Sequence, residues 1–400
     1  MKSILYLLIL ILSITTQTKS CTIISVKNAS TSLIGSNYDL SKAHIKEFGD
    51  MYSWTSPAKN NKYGAIYLSF KPSLYSATSG LNEKGLYYDW ASLNESSTKP
   101  YDKNKPTYFG FLPYKIMEEC STTEEAIEIV KKYNWGIESQ GGHMMIADCN
   151  GNSAVFEWLK GELVILKGDK NQIITNTPLA YCEKNYNKCW RLSKAHKMLD
   201  GISVSEESLQ KTLKSVAQKD DIETLVSRII DLKKREITMY YQRNFDVPVV
   251  IRLDDELKKG LHYECIPSLF NENNTNCSSE HKMEFYYDED WKEIPTSKKA
   301  LYVRKITSDP NSTELIVKDY FFKSKKIQYE AKYENYDAII LNRQNGIVVW
   351  YYENGKKSRE SEFLNNKPNG KSTLWNEAGE IKNESVYDNC VLISEVDHSK

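Results

Sequence analysis

Cys21-Thr-Ile-Ile-Ser-Val26 and, after a polar turn, Gly35-Ser-Asn-Tyr-Asp39 are the segments of sequence that decide the fold. The first has the composition of a strand, because Thr, Ile and Val favour extended backbone. The Asn and Ser residues between the two segments are typical of a turn. We predict a β-hairpin that brings Asp39 back beside residue 21. The alternative interpretation is a turn Asp that bonds only to its own backbone.

The first twenty residues have the pattern of a secretory signal peptide. Lys2 is positive and residues 4–14 are apolar. Thr18 and Ser20 are small residues at the two positions before the cleavage site that a signal peptidase recognises. The apolar run is shorter than the ~20 residues that span a bilayer. We predict cleavage that leaves Cys21 first in a secreted or periplasmic protein. A lipid anchor on Cys21 is the disfavoured alternative, because Thr18 and Ser20 stand where lipoprotein signals have Leu and Gly or Ala.

An N-terminal Cys carries a thiol and a free α-amine on one residue. The amine has an ordinary pKa of about 8 and can take the proton of the thiol, so one residue supplies nucleophile and base. An ammonium beside the thiol also favours the thiolate. Such an amine needs a hydrogen-bond acceptor, and Asp39 is the candidate. The sequence therefore indicates an N-terminal-nucleophile mechanism at Cys21 that needs no neighbouring His.

Two further positions suit the hydrolysis of an amide. Asn176 ends a short β run and precedes Pro178, which fixes a turn, so the Asn176 side chain can donate to an oxyanion. Arg191 has the planar set of donors that orients a carbonyl or carboxylate. The alternative for Arg191 is an ordinary surface arginine.

The composition narrows the class of partner. The 53 basic and 53 acidic residues cancel, so no net field draws the chain to nucleic acid or to anionic lipid. We expect a small-molecule substrate. The cysteines and histidines lack the spacing of a metal site, and neither a metal nor a cofactor is predicted. Export allows disulfides, for which Cys182 and Cys189 are the closest pair.

Strands and helices interleave over residues 21–270, as in a layered protein. Residues 122–133 begin with a Ser/Thr-x-x-Glu signature, and residues 205–216 also show helical spacing, so two capped helices are predicted. Residues 222–232 have the same spacing and are predicted to form a third helix. Strand composition between turn residues is found at 22–26, 65–70, 86–90, 144–147, 154–158 and 163–167.

The character of the chain changes beyond about residue 284. Trp350-Tyr-Tyr-Glu-Asn-Gly355 and Leu374-Trp-Asn-Glu-Ala-Gly379 share a frame of aromatic, polar and Gly positions. A short fixed period predicts stacked hairpins. Residues 318–392 resemble the bacterial MORN-like repeats, and residues 271–317 are assigned to a linker and the start of the β region. This tail is a candidate surface for a protein or envelope partner.

Five groups of residues occur in an order that one family shares. They are Cys21-Thr22, Gly35-Ser-Asn-Tyr-Asp39, Gly80-Leu-Asn-Glu-Lys-Gly-Leu86, His143-Met-Met-Ile-Ala-Asp148 with Ala154-Val-Phe-Glu157, and Thr175-Asn176-Thr-Pro178. In these motifs the chain resembles the choloylglycine hydrolase family, which includes the penicillin V acylases.

The resemblance implies an α+β fold, in which an αββα sandwich is followed by a smaller all-β domain of hairpin repeats. It also implies that Cys21 attacks a linear carbon–nitrogen amide and that Asp39 bonds to its amine. Asn176 would donate to the oxyanion, and Arg191 would begin a helix at the active site.

Four more residues are candidates for contact with the oxyanion or the substrate. They lie within or shortly after the family motifs: Asn37, Asn82, Ser92 and Asn94. Many family members have Arg where this chain has Ser36. Losing that guanidinium is expected to raise the pKa of the thiol and to change how a polar substrate is held.

We therefore predict a secreted hydrolase of linear amides, such as bile-salt conjugates, penicillin V-like amides or fatty-acyl amides. One alternative is an acyltransferase of the same fold, in which an amine takes the acyl group instead of water. Another is an exported or lipid-anchored binding protein whose front domain is inactive. A homo-oligomer is compatible with each of them.

Overall fold

The computed structural model describes residues 21–43, 51–58, 61–70, 77–93, 102–108, 111–135, 142–181, 189–270, 283–294, 297–308, 314–334, 344–364 and 366–398. Within these residues two antiparallel sheets face each other, and a third sheet follows them in the chain. The predicted α+β class is confirmed. Residues 271–282, the first part of the predicted linker, lie outside the described residues, as do the residues before Cys21.

The first sheet carries Cys21 directly before one of its strands. Each strand in it runs antiparallel to its neighbours. In spatial order, its strands are β12 (Asn171–Ile174), β1 (Thr22–Lys27), β2 (Ser32–Ser41), β13 (Ile222–Asp231), β14 (Glu236–Tyr241) and β15 (Asn244–Arg252).

The second sheet packs its inner face on the first, and apolar residues of both sheets form one buried cluster that includes Cys21. In spatial order, its strands are β11 (Glu162–Gly168), β10 (Ser153–Leu159), β9 (Gly142–Ala147), β6 (Tyr87–Ser92), β5 (Ala77–Asn82), β4 (Ala65–Phe70), β3 (Met51–Ser56) and β16 (His262–Cys265). A short parallel pair is formed by β7 (Thr107–Tyr108) and β8 (Asn134–Trp135).

Helices cover the outer faces of both sheets. The helices are α1 (Leu112–Glu119), α2 (Thr123–Lys132), α3 (Trp190–Leu199), α4 (Glu206–Val216), α5 (Leu253–Lys258) and α6 (Ile266–Phe270). Apolar side chains of α1 and α2 pack on the second sheet, and those of α3 and α4 pack on the first. The order of layers is therefore αββα, and we call this part of the molecule the front sandwich.

The two capped helices that the sequence predicts are both present. The Thr122 side chain accepts from the backbone of Glu125, whose side chain bonds back to the backbone of Thr122, which forms a capping box at the start of α2. Ser205 and Ser208 form the same reciprocal arrangement at the start of α4.

The third predicted helix is wrong, because residues 222–232 contain the strand β13. Val226 and Ile230 face the second sheet, whereas Ile229 faces α3 and α4. Since β13 lies between β2 and β14 and is buried on both faces, its sequence shows no strict alternation of apolar and polar residues. An apolar run of this kind has a helical interpretation as well as a strand interpretation.

The third sheet is built from hairpins in chain order, apart from β17 and β18 at its edge, and we call it the tail sheet. Its strands are β17 (Met283–Tyr287), β18 (Glu293–Ile294), β19 (Tyr302–Ser308), β20 (Leu315–Phe321), β21 (Ile327–Tyr333), β22 (Gly346–Tyr351), β23 (Lys357–Leu364), β24 (Lys367–Trp375), β25 (Ile381–Asp388) and β26 (Val391–Asp397).

Gly355 and Gly379 occupy equivalent turns of the tail sheet. Their φ angles are 92° and 86°, in the left-handed region that favours glycine. The N–H of Gly355 donates to the carbonyl of Tyr352, and the N–H of Gly379 donates to that of Asn376, each at 2.9 Å. The shared frame in the sequence thus corresponds to a repeated hairpin turn, while membership in the MORN-like repeats and the domain boundaries remain predictions.

The tail sheet contacts the outer side of the front sandwich. Val317 and Tyr329 of the tail sheet belong to the same hydrophobic cluster as Trp54 and Phe156 of the second sheet. The apolar face of the tail sheet is therefore covered where the two parts meet.

One cysteine of the described residues is in a disulfide. Cys265 is disulfide-bonded, whereas Cys189 is a free thiol, and Cys182, the other member of the closest pair in sequence, lies outside the described residues. Within the described part of the chain, no helix has both the length and the hydropathy needed to cross a bilayer.

Candidate active site

The hairpin of β1 and β2 brings Asp39 beside Cys21, as the sequence predicts. Thr22 is paired with Asn37, so the two strands are in register at the end where Cys21 lies. The backbone N–H of Asp39 bonds to the Cys21 thiol. Cys21 is almost fully buried, with 2 % of its surface exposed.

The surroundings of Cys21 disfavour the ionised form of its thiol. Burial, followed by the negative charge of Asp39, raises the pKa of the Cys21 thiol to about 12. The N–H of Asp39 and the charge of Arg191 oppose this rise without overcoming it. A nucleophile at this position therefore needs a further positive charge or a base close to the sulfur.

Asp39 is fully buried and held by donors on its helix-covered side. Its Oδ1 accepts from the Thr224 hydroxyl at 2.5 Å, and its Oδ2 accepts from Gln218 Nε2 at 2.7 Å. Arg191 Nη1 lies 3.7 Å from Oδ2. Burial raises the pKa of Asp39 to about 6, although Arg191 and the two donors counteract it. The turn interpretation is thereby excluded, because Asp39 lies within β2 and bonds to distant residues.

Arg191 connects three parts of the site. It lies in the first turn of α3 and is buried, unlike a surface arginine. Its Nη1 donates to the carbonyl of Cys21 at 2.6 Å and to the Thr22 hydroxyl at 2.8 Å. Its Nη2 donates to Asn176 Oδ1 at 2.8 Å. The guanidinium thus joins Cys21 to Asn176, the predicted oxyanion donor.

Asn176 follows β12 and is also buried. Its Nδ2 donates to the carbonyl of Ser92 at 2.6 Å, which ties the end of β12 to the end of β6. Ser92 thus lies at the site and contributes its backbone carbonyl. Asn94, the other candidate after the second motif, lies outside the described residues.

The structure does not bring Asn37 or Asn82 into this group. Asn37 Nδ2 donates to the carbonyl of Leu213 at 3.0 Å and so fastens β2 to α4. Asn82 Nδ2 donates to the carbonyls of Met117 and Cys120 at 2.9 and 2.8 Å, at the end of α1. Both side chains stabilise contacts between layers of the sandwich.

Arg228 supplies a guanidinium beside Ser36, which the sequence did not lead us to expect. The two residues are directly paired across β13 and β2, and Arg228 Nη2 lies 3.2 Å from Ser36 Oγ. Arg228 Nη2 also donates to Asp89 Oδ2 at 3.2 Å, and Ser36 Oγ donates to the same oxygen at 2.7 Å. The signal in the sequence was a charged residue within the apolar run of β13, since buried arginines are rare unless paired.

Arg228 also lines a small cavity of about 10 Å³ between the two sheets. The other walls are largely apolar and include Ile66, Leu81, Met239 and Ile251. Among the described residues, Arg228 Nε has no hydrogen-bond partner. The negative charge of Asp89 in this group raises the pKa of Cys21 slightly further.

Known proteins share this architecture. Penicillin V acylase from Agrobacterium tumefaciens is 20 % identical, with a TM-score of 0.50 over 63 % of this chain and 93 % of that one. A variant of conjugated bile acid hydrolase from Clostridium perfringens is 16 % identical, with a TM-score of 0.50 over 61 % of this chain and 96 % of that one. The αββα sandwich is therefore the N-terminal-nucleophile hydrolase fold that the motifs imply.

Comparison of sequences also finds a penicillin V acylase among the similar proteins. Penicillin V acylase from Pectobacterium atrosepticum is 27 % identical over 165 residues, which are 38 % of this chain and 43 % of that protein. The chain thus spans less than half the length of this curated relative. The family of acyl-coenzyme A:6-aminopenicillanic acid acyl-transferases matches residues 26–246, a range that starts after Cys21 and includes Asp39, Asn176 and Arg191. With more than half of its length matched, the chain belongs to the acyl-coenzyme A:6-aminopenicillanic acid acyl-transferase family.

Proposed function

We propose that this protein hydrolyses linear amides, with Cys21 as an N-terminal nucleophile. The observation that carries the proposal is the set of hydrogen bonds that runs from Cys21 through Arg191 to Asn176, with Asp39 at its side. A nucleophile, an acceptor for its amine and an amide donor are the groups that acyl transfer from an amide requires.

The proposed reaction begins with removal of the leader that precedes Cys21, outside the cytoplasm. The freed α-amine takes the thiol proton, and the sulfur attacks the amide carbonyl. Asn176 has two N–H bonds on one nitrogen and can donate to the oxyanion as well as to Ser92. The leaving amine takes the proton, a thioester remains on Cys21, and water then releases the acid.

The uncleaved chain is proposed to be inert. In that chain the Cys21 nitrogen is part of a peptide bond, and the pKa of the thiol is about 12. Cleavage converts that nitrogen into a base whose charged form lies beside the sulfur and favours the thiolate. Asp39 is the buried carboxylate that would hold this amine.

Substitution of Cys21 tests the nucleophile. Cys21→Ala should abolish cleavage of penicillin V, conjugated bile acids and fatty-acyl amides while the circular dichroism spectrum stays unchanged. The matched control is Cys149→Ala, which removes a free thiol outside the site and should keep full activity. Turnover by Cys21→Ala at the wild-type rate would exclude the mechanism.

A second experiment tests the amine separately from the thiol. A protein that keeps one extra alanine in front of Cys21 retains the thiol but has no free amine on that residue. We expect it to be inactive, and full activity would show that the amine is not the base. Mass spectrometry of the secreted protein should find a free Cys21 at its N-terminus, whereas a lipidated Cys21 would favour the anchored binding protein.

Acyl transfer is the second candidate function, and the description of the matching family favours it. In this version an amine rather than water attacks the thioester on Cys21. Adding 6-aminopenicillanic acid during turnover should divert product from the free acid to a new amide. If the acid remains the sole product at every acceptor concentration, the protein acts as a hydrolase.

A further inference from the structure

His143 and Glu157 form a buried pair that the mechanism above does not use. They lie directly opposite each other on β9 and β10, and both side chains are fully buried. His143 Nδ1 lies 2.7 Å from Glu157 Oε1. His143 Nε2 lies 2.6 Å from the carbonyl oxygen of Thr175. The pair therefore reaches from the second sheet to the segment that follows β12 in the first.

The hydrogen-bond partners of this pair hold both side chains in place. A carbonyl oxygen can only accept, so His143 Nε2 donates to Thr175, while Nδ1 lies against the Glu157 carboxyl group. Glu157 receives two further donors, the backbone N–H groups of Leu179 at 2.5 Å and Ala180 at 2.9 Å. Burial raises the pKa of Glu157, but the bond from His143, its charge and the two N–H groups outweigh burial and hold that pKa below its ordinary value.

The bonds of the pair fall on both sides of Asn176. Thr175 immediately precedes Asn176, while Leu179 and Ala180 follow Pro178. The His143–Glu157 pair thus holds the backbone on both sides of Asn176. The side chain of Asn176 is held by Arg191 and by the carbonyl of Ser92. An oxyanion donor stabilises a transition state only when it is fixed before the charge develops.

We propose that the His143–Glu157 pair positions Asn176 for stabilisation of the oxyanion. His143 and Glu157 are positioning residues, since they act through the backbone of residues 175–180 and do not contact the reacting atoms. The inference rests on the proposed function in so far as Asn176 donates to a tetrahedral intermediate. A loosened donor lowers kcat and leaves ground-state binding, and hence KM, nearly unchanged.

Two substitutions of His143 separate its two bonds. His143→Asn keeps a donor near the Nδ1 position, towards Glu157, and loses the bond to Thr175. His143→Gln keeps a donor near the Nε2 position, towards Thr175. We expect kcat for amide hydrolysis to fall about tenfold or more in His143→Asn, with KM changed less than twofold, and to be partly rescued in His143→Gln.

The chain offers a matched control in His262. This buried imidazole also bonds to a carboxylate and a carbonyl, Glu256 Oε2 and the Gly260 oxygen, each at 2.8 Å. It lies at the start of β16, away from the bonds to Asn176. His262→Gln should lower the melting temperature as much as His143→Gln does, and kcat should stay at the wild-type value.

Hydrogen exchange provides a readout that does not depend on turnover. In Glu157→Gln the amides of Leu179 and Ala180 should exchange at least tenfold faster than in the wild type, while His262→Gln leaves them protected. Unchanged exchange at both amides overturns the inference, and so does an unchanged kcat in His143→Asn. If the wild type cleaves no amide but the exchange rises as stated, the proposed function fails and the positioning of the Asn176 segment stands.

Discussion

At the scale of single residues, the site depends on buried charges that face one another across strands. Asp39 is buried with Arg191, and Asp89 is buried with Arg228. Each carboxylate loses its hydrogen bonds to water on burial, and guanidinium and hydroxyl donors of the protein replace them. The first pair contacts Cys21 directly, and Arg228 of the second pair lines the cavity between the sheets.

Asp39→Asn should slow the reaction because an amide holds the ammonium of Cys21 less strongly than a carboxylate does. A hydrogen bond to a charged group contributes ~1.5–3 kcal/mol, so kcat/KM should fall by about 10- to 100-fold. The measurement is steady-state hydrolysis at pH 7.5, compared with Asp246→Asn, the same change at an exposed carboxylate of β15. A wild-type rate in Asp39→Asn removes this residue from the mechanism.

The guanidinium should work from either position 228 or position 36, because these two positions are paired across β13 and β2. Arg228→Ser leaves the Asp89 carboxylate buried without its cation, which costs ~3–5 kcal/mol of unfolding free energy. The double variant Arg228→Ser/Ser36→Arg moves the guanidinium to β2, where many family members carry it. We expect the double variant to be more stable in urea than Arg228→Ser and to recover activity; additive losses would disprove the exchange.

At the scale of elements, the sequence predicted correctly those helices and hairpins that are determined by interactions between residues close in the chain. The capping residues Thr122 and Ser205 marked two helices, and the segment from Cys21 to Asp39 marked the first hairpin. The strand β13 could not be identified in this way, since its burial on both faces comes from α4 on one side and the second sheet on the other. Arg228 was missed for the same reason, because only the pairing of β13 with β2 places it at Ser36.

The packing of α4 on β2 leaves no room for a side chain at Gly35. A Cβ there would lie 2.8 Å from Leu209 Cδ1. Gly35→Ala should therefore lower the unfolding free energy by ~1–3 kcal/mol through overpacking. The new methyl group should also push α4 away from β2. Gln218, which follows α4 and bonds to Asp39, should shift with the helix, and kcat of Gly35→Ala should fall.

A double-mutant cycle tests this explanation of Gly35→Ala. Leu209→Ala removes the side chain that the new methyl group meets, so the two changes should cost less together than the sum of their separate costs. Urea denaturation of the four proteins gives the coupling. Strict additivity would show that contact with Leu209 is not the cause.

At the scale of the whole molecule, the change in sequence character beyond residue 284 corresponds to the tail sheet. Its hairpins contact their neighbours in the chain, and its apolar face joins the hydrophobic cluster on the second sheet. The tail sheet should therefore contribute to overall stability without affecting the chemistry at Cys21.

Leu315→Ala tests this role of the tail sheet. Leu315 is almost fully buried in the shared cluster, and its truncation should cost ~2–5 kcal/mol. Ile347→Ala, at a position that is 56 % exposed in the same sheet, is the matched control and should change stability by less than about 0.5 kcal/mol. Both variants should keep the wild-type kcat below their melting temperatures, and a loss of kcat in Leu315→Ala alone would show coupling between the tail sheet and the site.

The pairing of β2 with β13 also sets an order of events during biosynthesis. The partners of Asp39 lie far along the chain, Thr224 being 185 residues away in sequence. Closing so long a loop is slow compared with forming a local hairpin. We propose that the leader is a signal peptide, and a polypeptide exported through a translocation channel exposes such a leader well before Thr224 appears. In that case a signal peptidase meets an extended chain, and Cys21 becomes free before the sandwich closes around it.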